Sequence, residues 1–306
     1  MRVVVARPRG FCAGVERAIK TVERAIEKFG KPVYVFNPIV HNRHVVAELI
    51  EKGAVFVRAI EDVPEGALLL FSAHGVPPEA LEKAKARNLK IIDATCPLVE
   101  RVHRHARKYA EIGYTVILIG DAEHDETKGT LGWALGKGII VSNKQDAERL
   151  TINNSEKLVY VTQTTLSIDD CGEIIEVLRK RFANIESPAK SNICYATTNR
   201  QRAVKALAEQ VEAVIVVGDE ESANSKRLAE IAQKTGKPTV LVLDSSALDL
   251  EWLKRFKSLL ITSGASVPEK FVKEVISFIN EIEPSTVEEI TVVEEEVHFL
   301  LPSEVR

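Results

Sequence analysis

The sequence predicts an α/β protein: three related units with mostly parallel sheets, disposed about a pseudo-threefold axis. Three observations predict it. Short Val/Ile/Leu runs alternate from end to end with helical stretches rich in Glu, Lys, Arg and Ala. Three of the four cysteines, Cys12, Cys96 and Cys194, each follow an apolar run and precede a helical stretch, at similar intervals of chain. After each of these helices the same order recurs: a strand ending in a polar cluster, a helix, a strand, and a further strand with its own polar terminus.

Taken in order, Arg2-Val3-Val4-Val5-Ala6 reads as a strand leading to Cys12 and a helix over 15–28. The strand Val33–Phe36 runs out at His41-Asn42, and Leu68–Phe71 at His74-Gly75. Ile91-Ile92 leads to Cys96 and a helix over 98–112. Val116–Ile119 ends in a cluster holding His124 and Glu126, Leu158–Val161 ends at Gln163-Thr164-Thr165, and a helix is expected over 168–182. Ile193 precedes Cys194 and a helix over 199–211; Val214–Val217 then ends in a cluster holding Ser222 and Asn224, and Leu259–Thr262 runs on to Ser266. Two of the clusters align closely: Gly-Asp-x-Glu-His-x-Glu at 120–126 lies over Gly-Asp-x-Glu-Ser-x-Asn at 218–224. The expected units are 13–96, 97–193 and 194–283, with strand 1–12 joined to the third. The acidic segment 284–306 is expected to fold back on the body, extended at 292–293 and 297–301, with Glu294-Glu295-Glu296 on the surface. Gly10, Gly14 and Gly264 are expected to allow tight turns near the centre.

Composition narrows the function. A chain of 306 residues with 45% apolar and 28% charged residues can bury a core. A net charge of −3 gives no electrostatic case for nucleic acid, and the basic run Arg101–Lys108 reads as a solvated helix face. No apolar run approaches the roughly 20 residues that span a bilayer, and the N-terminus lacks the blocks of a signal peptide, so a cytoplasmic protein is expected. Disulfides are rare in that compartment, and cysteines at motif-like positions then point to metal or catalysis.

Three thiolates on a common axis can hold zinc, an iron–sulfur cluster, or nothing. Cysteine-built zinc sites usually show local Cys-x₂₋₄-Cys pairs, and this chain has none. A cubane can take ligands from three distant loops, and three ligands leave one iron open. Each of the three cysteines stands at or near an expected helix start, where the positive dipole end favours thiolate. Cys171 falls inside an expected helix, away from any strand end, and reads as packing.

The strand ends supply His41, His74, His124, Glu126, Thr164, Ser222, Asn224 and Ser266. In open α/β sheets the carboxyl edge is where ligands bind. A phosphate needs several converging donors, which imidazole, hydroxyl and amide groups provide. There is no Gly-rich Walker loop with a lysine, which argues against a nucleoside triphosphate. Glu126 is the only carboxylate of the set; in a closed cavity its pKa rises, which suits a proton donor.

The segments Pro8-Arg9-Gly10-Phe11-Cys12-Ala13-Gly14-Val15, Val40-His41-Asn42, Ser72-Ala73-His74-Gly75, Asp93-Ala94-Thr95-Cys96-Pro97 and Ile193-Cys194-Tyr195-Ala196-Thr197-Thr198-Asn199-Arg200-Gln201 resemble the 4-hydroxy-3-methylbut-2-enyl diphosphate reductase family over about residues 1–280. That family performs the last step of the methylerythritol phosphate route to isoprenoids. The resemblance implies a central 4Fe–4S cluster on Cys12, Cys96 and Cys194 with one open iron, which would take the substrate's 4-hydroxyl. Two electrons, delivered singly by ferredoxin or flavodoxin, and protons would remove the hydroxyl as water and leave isopentenyl and dimethylallyl diphosphate. By position, Glu126 matches the family's proton source and Thr164 the hydroxyl beside the substrate's C4 oxygen. His41, His74, Ser222, Asn224 and Ser266 match diphosphate-binding positions, and His124 a histidine that faces the diphosphate and relays protons to Glu126. Many members carry a second serine where this chain has Ala223, a departure worth about 1 kcal/mol of diphosphate contact.

Three other readings stay open on the residues alone. A non-catalytic iron–sulfur carrier or sensor would need the cluster but not eight polar residues around one cavity. A Cys₃ zinc hydrolase with Glu126 as base would hold zinc without sulfide. A sugar- or nucleotide-binding module would tolerate loss of all three cysteines. No heptads or large apolar stripe argue for assembly, so a monomer is expected.

Overall fold

Parallel strands buried on both faces need near-continuous apolar runs, and most strands of this chain have them. The computed structural model describes residues 1–153 and 157–306. The strands are β1 (Arg2–Arg7), β2 (Val33–Phe36), β3 (Ala54–Val57), β4 (Leu68–Phe71), β5 (Lys90–Asp93), β6 (Thr115–Ile119), β7 (Gly138–Val141), β8 (Leu158–Thr162), β9 (Ala213–Val217), β10 (Thr239–Val242), β11 (Ser258–Ser263) and β12 (Thr286–Thr291). The helices are α1 (Ala13–Phe29), α2 (Arg43–Lys52), α3 (Pro78–Ala86), α4 (Pro97–Glu111), α5 (Asp125–Trp133), α6 (Lys144–Arg149), α7 (Ile168–Arg181), α8 (Tyr195–Ala208), α9 (Ala223–Lys234), α10 (Leu250–Leu253) and α11 (Glu269–Ile282).

The strands form three parallel sheets, ordered β3-β2-β4-β5, β7-β6-β8 and β10-β9-β11-β1-β12. Each repeats one plan: a strand (β2, β6, β9) flanked by the next two strands of the chain. The strand before a cysteine joins the sheet whose β4- or β11-type strand it follows in the plan. Thus β5, ahead of Cys96, lies beside β4, and β1, ahead of Cys12, lies beside β11. Ahead of Cys194 there is no such strand; only an isolated bridge between Val159 and Glu186 stands in its place, and Ile193 lies in irregular chain.

By compactness the chain falls into two bodies. One comprises Met1–Val15, His41–Val45 and Tyr195–His298; the other comprises Glu16–Val40, Val46–Cys194 and Phe299–Arg306. In the first, the period-2 alternation of β1 sorts two cores. Val3 and Val5 face Phe271, Val272, Val275 and Ile279 of α11, while Val4 and Ala6 face Ala203, Val204 and Leu207 of α8 and Leu228 of α9. In the second body, Ile117 and Ile119 pack on Ile174 and Leu178 of α7, and Val116 and Leu118 on Val102, Ala106 and Ala110 of α4. Each fully buried Leu, Ile or Val of these layers contributes about 1.5–3 kcal/mol.

The acidic segment departs from its expected form. The strand β12 is Thr286–Thr291, registered along β1 from Arg2 to Arg7, and residues 292–293 and 297–301 are not strands. Backbone pairing with β1 decides this, since β12 carries mostly exposed residues and offers little apolar pattern to read. Gly14 also departs: it lies in the first turn of α1, not in a tight turn.

Candidate active site

In all three sheets a cysteine N–H is tied to the chain just past a strand end. Cys96 N–H donates to the Ala73 carbonyl (3.0 Å), Cys194 to Thr164 (3.1 Å) and Cys12 to Ala265 (3.2 Å). The register makes these acceptors equivalent, each two residues beyond its strand's last paired residue: Phe71, Thr162 and Ser263. All three cysteines are partly exposed and free of disulfides, and each immediately precedes a helix: α1, α4 and α8. Such a position favours thiolate. Cys171 is different. It is buried in the α7 core, and burial, with Asp170 adding to it, pushes its thiol up to about 12.

In the second body, α5 starts with His124 as N-cap, whose Nδ1 accepts the Glu126 N–H (3.1 Å). With Nδ1 an acceptor, a neutral ring carries its proton on Nε2. The cap turns Glu126 inward, where it is 2% exposed. Thr164 meets it twice: its N–H donates to Oε1 at 2.6 Å and its Oγ–H to Oε2 at 2.9 Å. Burial pushes the carboxyl up to about 7, against the pull of these two bonds. The His74 ring stands edge-on to His124 with centroids 5.5 Å apart, and Nδ1 of His74 lies 3.5 Å from Ser72 Oγ. The structure thus brings His74, His124, Glu126 and Thr164 to the strand ends that also receive Cys96 and Cys194.

A close packing supports this group. Gly75 has φ +74°, and a Cβ there would lie 2.4 Å from Cε1 of His103 on α4. A Cβ at Gly132 of α5 would lie 2.4 Å from Pro77 Cβ. His103 is buried beside Trp133, and burial brings its pKa down to about 4, so the ring is neutral. Arg17, on α1, donates to the Thr95 carbonyl (3.0 Å) one residue from Cys96. Sequence reasoning missed both residues. The only signal for His103 was Gly75, a glycine beside a candidate histidine.

In the first body, Asn224 repeats the role of Glu126. Its Oδ1 accepts the Ala265 N–H (2.8 Å), as Glu126 accepts that of Thr164, and its Nδ2 donates to Thr197 Oγ1 (3.3 Å). Ser222 caps α9 as His124 caps α5, accepting the Ser225 N–H. Ser266 Oγ donates to the His41 carbonyl (3.2 Å), and Asn42 Oδ1 accepts the Val45 N–H (3.1 Å) at the start of α2. Gly10, at φ +68°, turns the chain ahead of Cys12 and donates to Ser263 Oγ (2.8 Å). Gly264 is needed for close approach instead of a turn, since a Cβ there would meet Ser225 Oγ at 2.1 Å. The Glu294–Glu296 run is not all surface: Glu295 is 14% exposed and pairs with Arg200, whose side chain is fully buried. Its partner lies far away in sequence, which is why a glutamate run reads as solvated.

The model of the LytB protein family matches residues 3–280. The chain belongs to the LytB family. Among curated relatives, it is 48% identical to the 4-hydroxy-3-methylbut-2-enyl diphosphate reductase of Actinobacillus succinogenes, over 100% of this chain and 98% of that one. It is 47% identical to the protein of the same name from Escherichia coli, over 100% and 98%. Among solved structures, it superposes with a TM-score of 0.97, at 39% identity over 99% of this chain and 96% of that one, on the E-1-hydroxy-2-methyl-but-2-enyl-4-diphosphate reductase from Plasmodium falciparum. A second structure, of (E)-4-hydroxy-3-methyl-but-2-enyl diphosphate reductase, matches at TM-score 0.66 and 33% identity, over 92% and 100%. Three parallel sheets in a mixed α/β fold are therefore the LytB arrangement. Among the described residues no helix is long and apolar enough to cross a membrane.

Proposed function

We propose that this LytB-family chain reduces (E)-4-hydroxy-3-methylbut-2-enyl diphosphate to isopentenyl and dimethylallyl diphosphate, the last step of the methylerythritol phosphate route. Beyond family membership, one observation carries the reading: Thr164 holds the buried Glu126 through its N–H and hydroxyl and takes the Cys194 N–H on its carbonyl. A proton donor is thereby fixed to a cysteine at a helix start.

The reaction takes in two electrons and two protons. The C4–O bond breaks, the oxygen leaves as water, and a C–H bond forms at one end of the allyl unit. Cys12, Cys96 and Cys194 fit a 4Fe–4S cluster as donors, being partly exposed and at helix starts, which Cys171 is not. When bound, a cluster with three cysteine ligands supplies one-electron steps and an iron open to substrate. The electrons come singly from reduced ferredoxin or flavodoxin.

The remaining steps fall to side chains of this chain. His41, His74, Ser222, Asn224 and Ser266 bind the diphosphate, and His124 does so through Nε2–H. Thr164 orients the leaving oxygen. Glu126 carries a proton up to about pH 7 and delivers it from a buried position. Asn224, in the place that Glu126 has in the other repeat, gives the same backbone bond without adding a negative charge near the diphosphate. The chain works as a monomer in the cytoplasm.

Metal and sulfide analysis of protein prepared without oxygen tests the ligand set. Iron and sulfide are expected in the wild type and in Cys171→Ser, and are lost from Cys12→Ser, Cys96→Ser and Cys194→Ser. Zinc without sulfide would shift the reading to a hydrolase with Glu126 as base, and equal loss on Cys171→Ser would break the ligand assignment.

A further inference from the structure

We propose that Glu295, in the acidic segment beyond residue 280 where the LytB family match ends, is a positioning residue that fixes the Cys12 loop through Arg200. Arg200 projects from α8 with a fully buried side chain. One terminal nitrogen donates to the Ala196 carbonyl (3.0 Å) and to both oxygens of Glu295 (3.2 and 3.3 Å). The other donates to the Gly10 carbonyl at 2.8 Å. Asn199 Nδ2 donates to the same Glu295 carboxylate at 3.1 Å. Gly10 lies two residues before Cys12, in a turn that only a positive φ allows, and it is the point where the loop is held from this side.

A second clamp runs in parallel. Arg9 reaches Glu269 on α11 and Glu289 on β12, both at 2.6 Å, and Arg7 also pairs with Glu289. The segment therefore holds the chain leading into Cys12 at two places, with Glu289 on Arg7 and Arg9 directly and Glu295 on Gly10 through Arg200. The exposed Arg7–Glu289 pair is worth little by itself. Arg200 is different, because a buried guanidinium whose carboxylate is removed must find water or another acceptor. Movement of its head group releases the Gly10 carbonyl. The loop then loosens ahead of Cys12, which is left with the Gly10 bond to Ser263 Oγ and its own bond to Ala265, while the loops of Cys96 and Cys194, tied to Ala73 and Thr164, lose nothing.

The functional meaning of this inference rests on the reading of Cys12 as a cluster ligand, but its test does not, since it is read on metal-free, reduced, full-length protein. The four cysteines are alkylated with iodoacetamide and followed separately by peptide mass spectrometry. In Glu295→Gln, Cys12 is expected to react about fivefold faster or more, with Cys96 and Cys194 changed by less than about twofold. Buried Cys171 stays slow and reports global opening. Glu295→Asp, which keeps the charge, restores most of the protection, and Glu294→Gln leaves all four rates unchanged. Equal acceleration at all four cysteines would reduce Glu295 to a general stabiliser, and an unchanged Cys12 rate would overturn the proposal. Should Glu295→Gln fail to fold, native-state hydrogen exchange on the wild type decides. The amides of Gly10, Cys12 and Val292 are expected to open together with one denaturant dependence, and independent opening would contradict the link.

Discussion

Thr164 and Glu126 are joined by two hydrogen bonds, N–H to Oε1 at 2.6 Å and Oγ–H to Oε2 at 2.9 Å. Charge-assisted bonds of this kind hold a carboxylate ionised, yet burial outweighs them and the group titrates near 7. The balance leaves a carboxylic acid that is half-loaded at neutral pH and fixed in orientation, which is what proton delivery to a bound substrate requires.

Replacing Glu126 by Gln keeps the shape and the bond from the Thr164 N–H but removes the transferable proton. Turnover is expected to fall by about 10²-fold or more, as for loss of a general acid, with the substrate dissociation constant changed by less than about threefold. Single-turnover kinetics and calorimetric binding measure the two separately. A large affinity loss with intact turnover would contradict the role.

The same carboxyl sets a pH dependence of folding. Its folded pKa of about 7 lies above the ordinary 4.5, so between these values the folded chain binds more protons than the unfolded one. Its contribution is therefore fully present below about pH 4.5 and is lost as pH rises through 7. Relative to wild type, metal-free Glu126→Gln is expected to gain stability from pH 5 to pH 8, on the order of 3 kcal/mol at most. Urea unfolding at several pH values checks the sign; a gain that shrinks with rising pH would refute it.

Asn224 and Glu126 occupy corresponding places, each accepting the N–H just past a strand end. Asn224→Asp keeps that acceptor and adds a charge. The unfolding midpoint is expected to move little, while affinity for the diphosphate substrate falls by about tenfold or more through like-charge repulsion. Unchanged affinity would remove Asn224 from the diphosphate site.

Gly75 has room neither for a Cβ, because of His103, nor for an L side chain at its positive φ. Gly75→Ala is expected to cost about 2 kcal/mol or more of stability and to weaken diphosphate binding by displacing the adjacent His74. Denaturation and binding measured on one preparation test both effects.

Much of this was legible in the sequence because it is local. Apolar runs such as Val214–Val217 specify buried parallel strands, and the paired motifs at 120–126 and 218–224 already aligned His124 with Ser222 and Glu126 with Asn224, the pairs that turn out to share cap and backbone roles. What was not legible rests on long-range partners. Glu295 sits in a glutamate run that looks solvated until Arg200 is placed beneath it, and β12 is a strand only because β1 offers it an edge. His103 and Arg17 read as ordinary helix residues; their roles come from the loops they touch.

The most direct test of the account is turnover by anaerobically prepared protein given (E)-4-hydroxy-3-methylbut-2-enyl diphosphate and a reduced low-potential dye. Dye oxidation with formation of both isopentenyl and dimethylallyl diphosphate is the expected result. Absence of turnover by protein that carries its full iron and sulfide would contradict the reductase reading and leave an iron–sulfur carrier or sensor in its place.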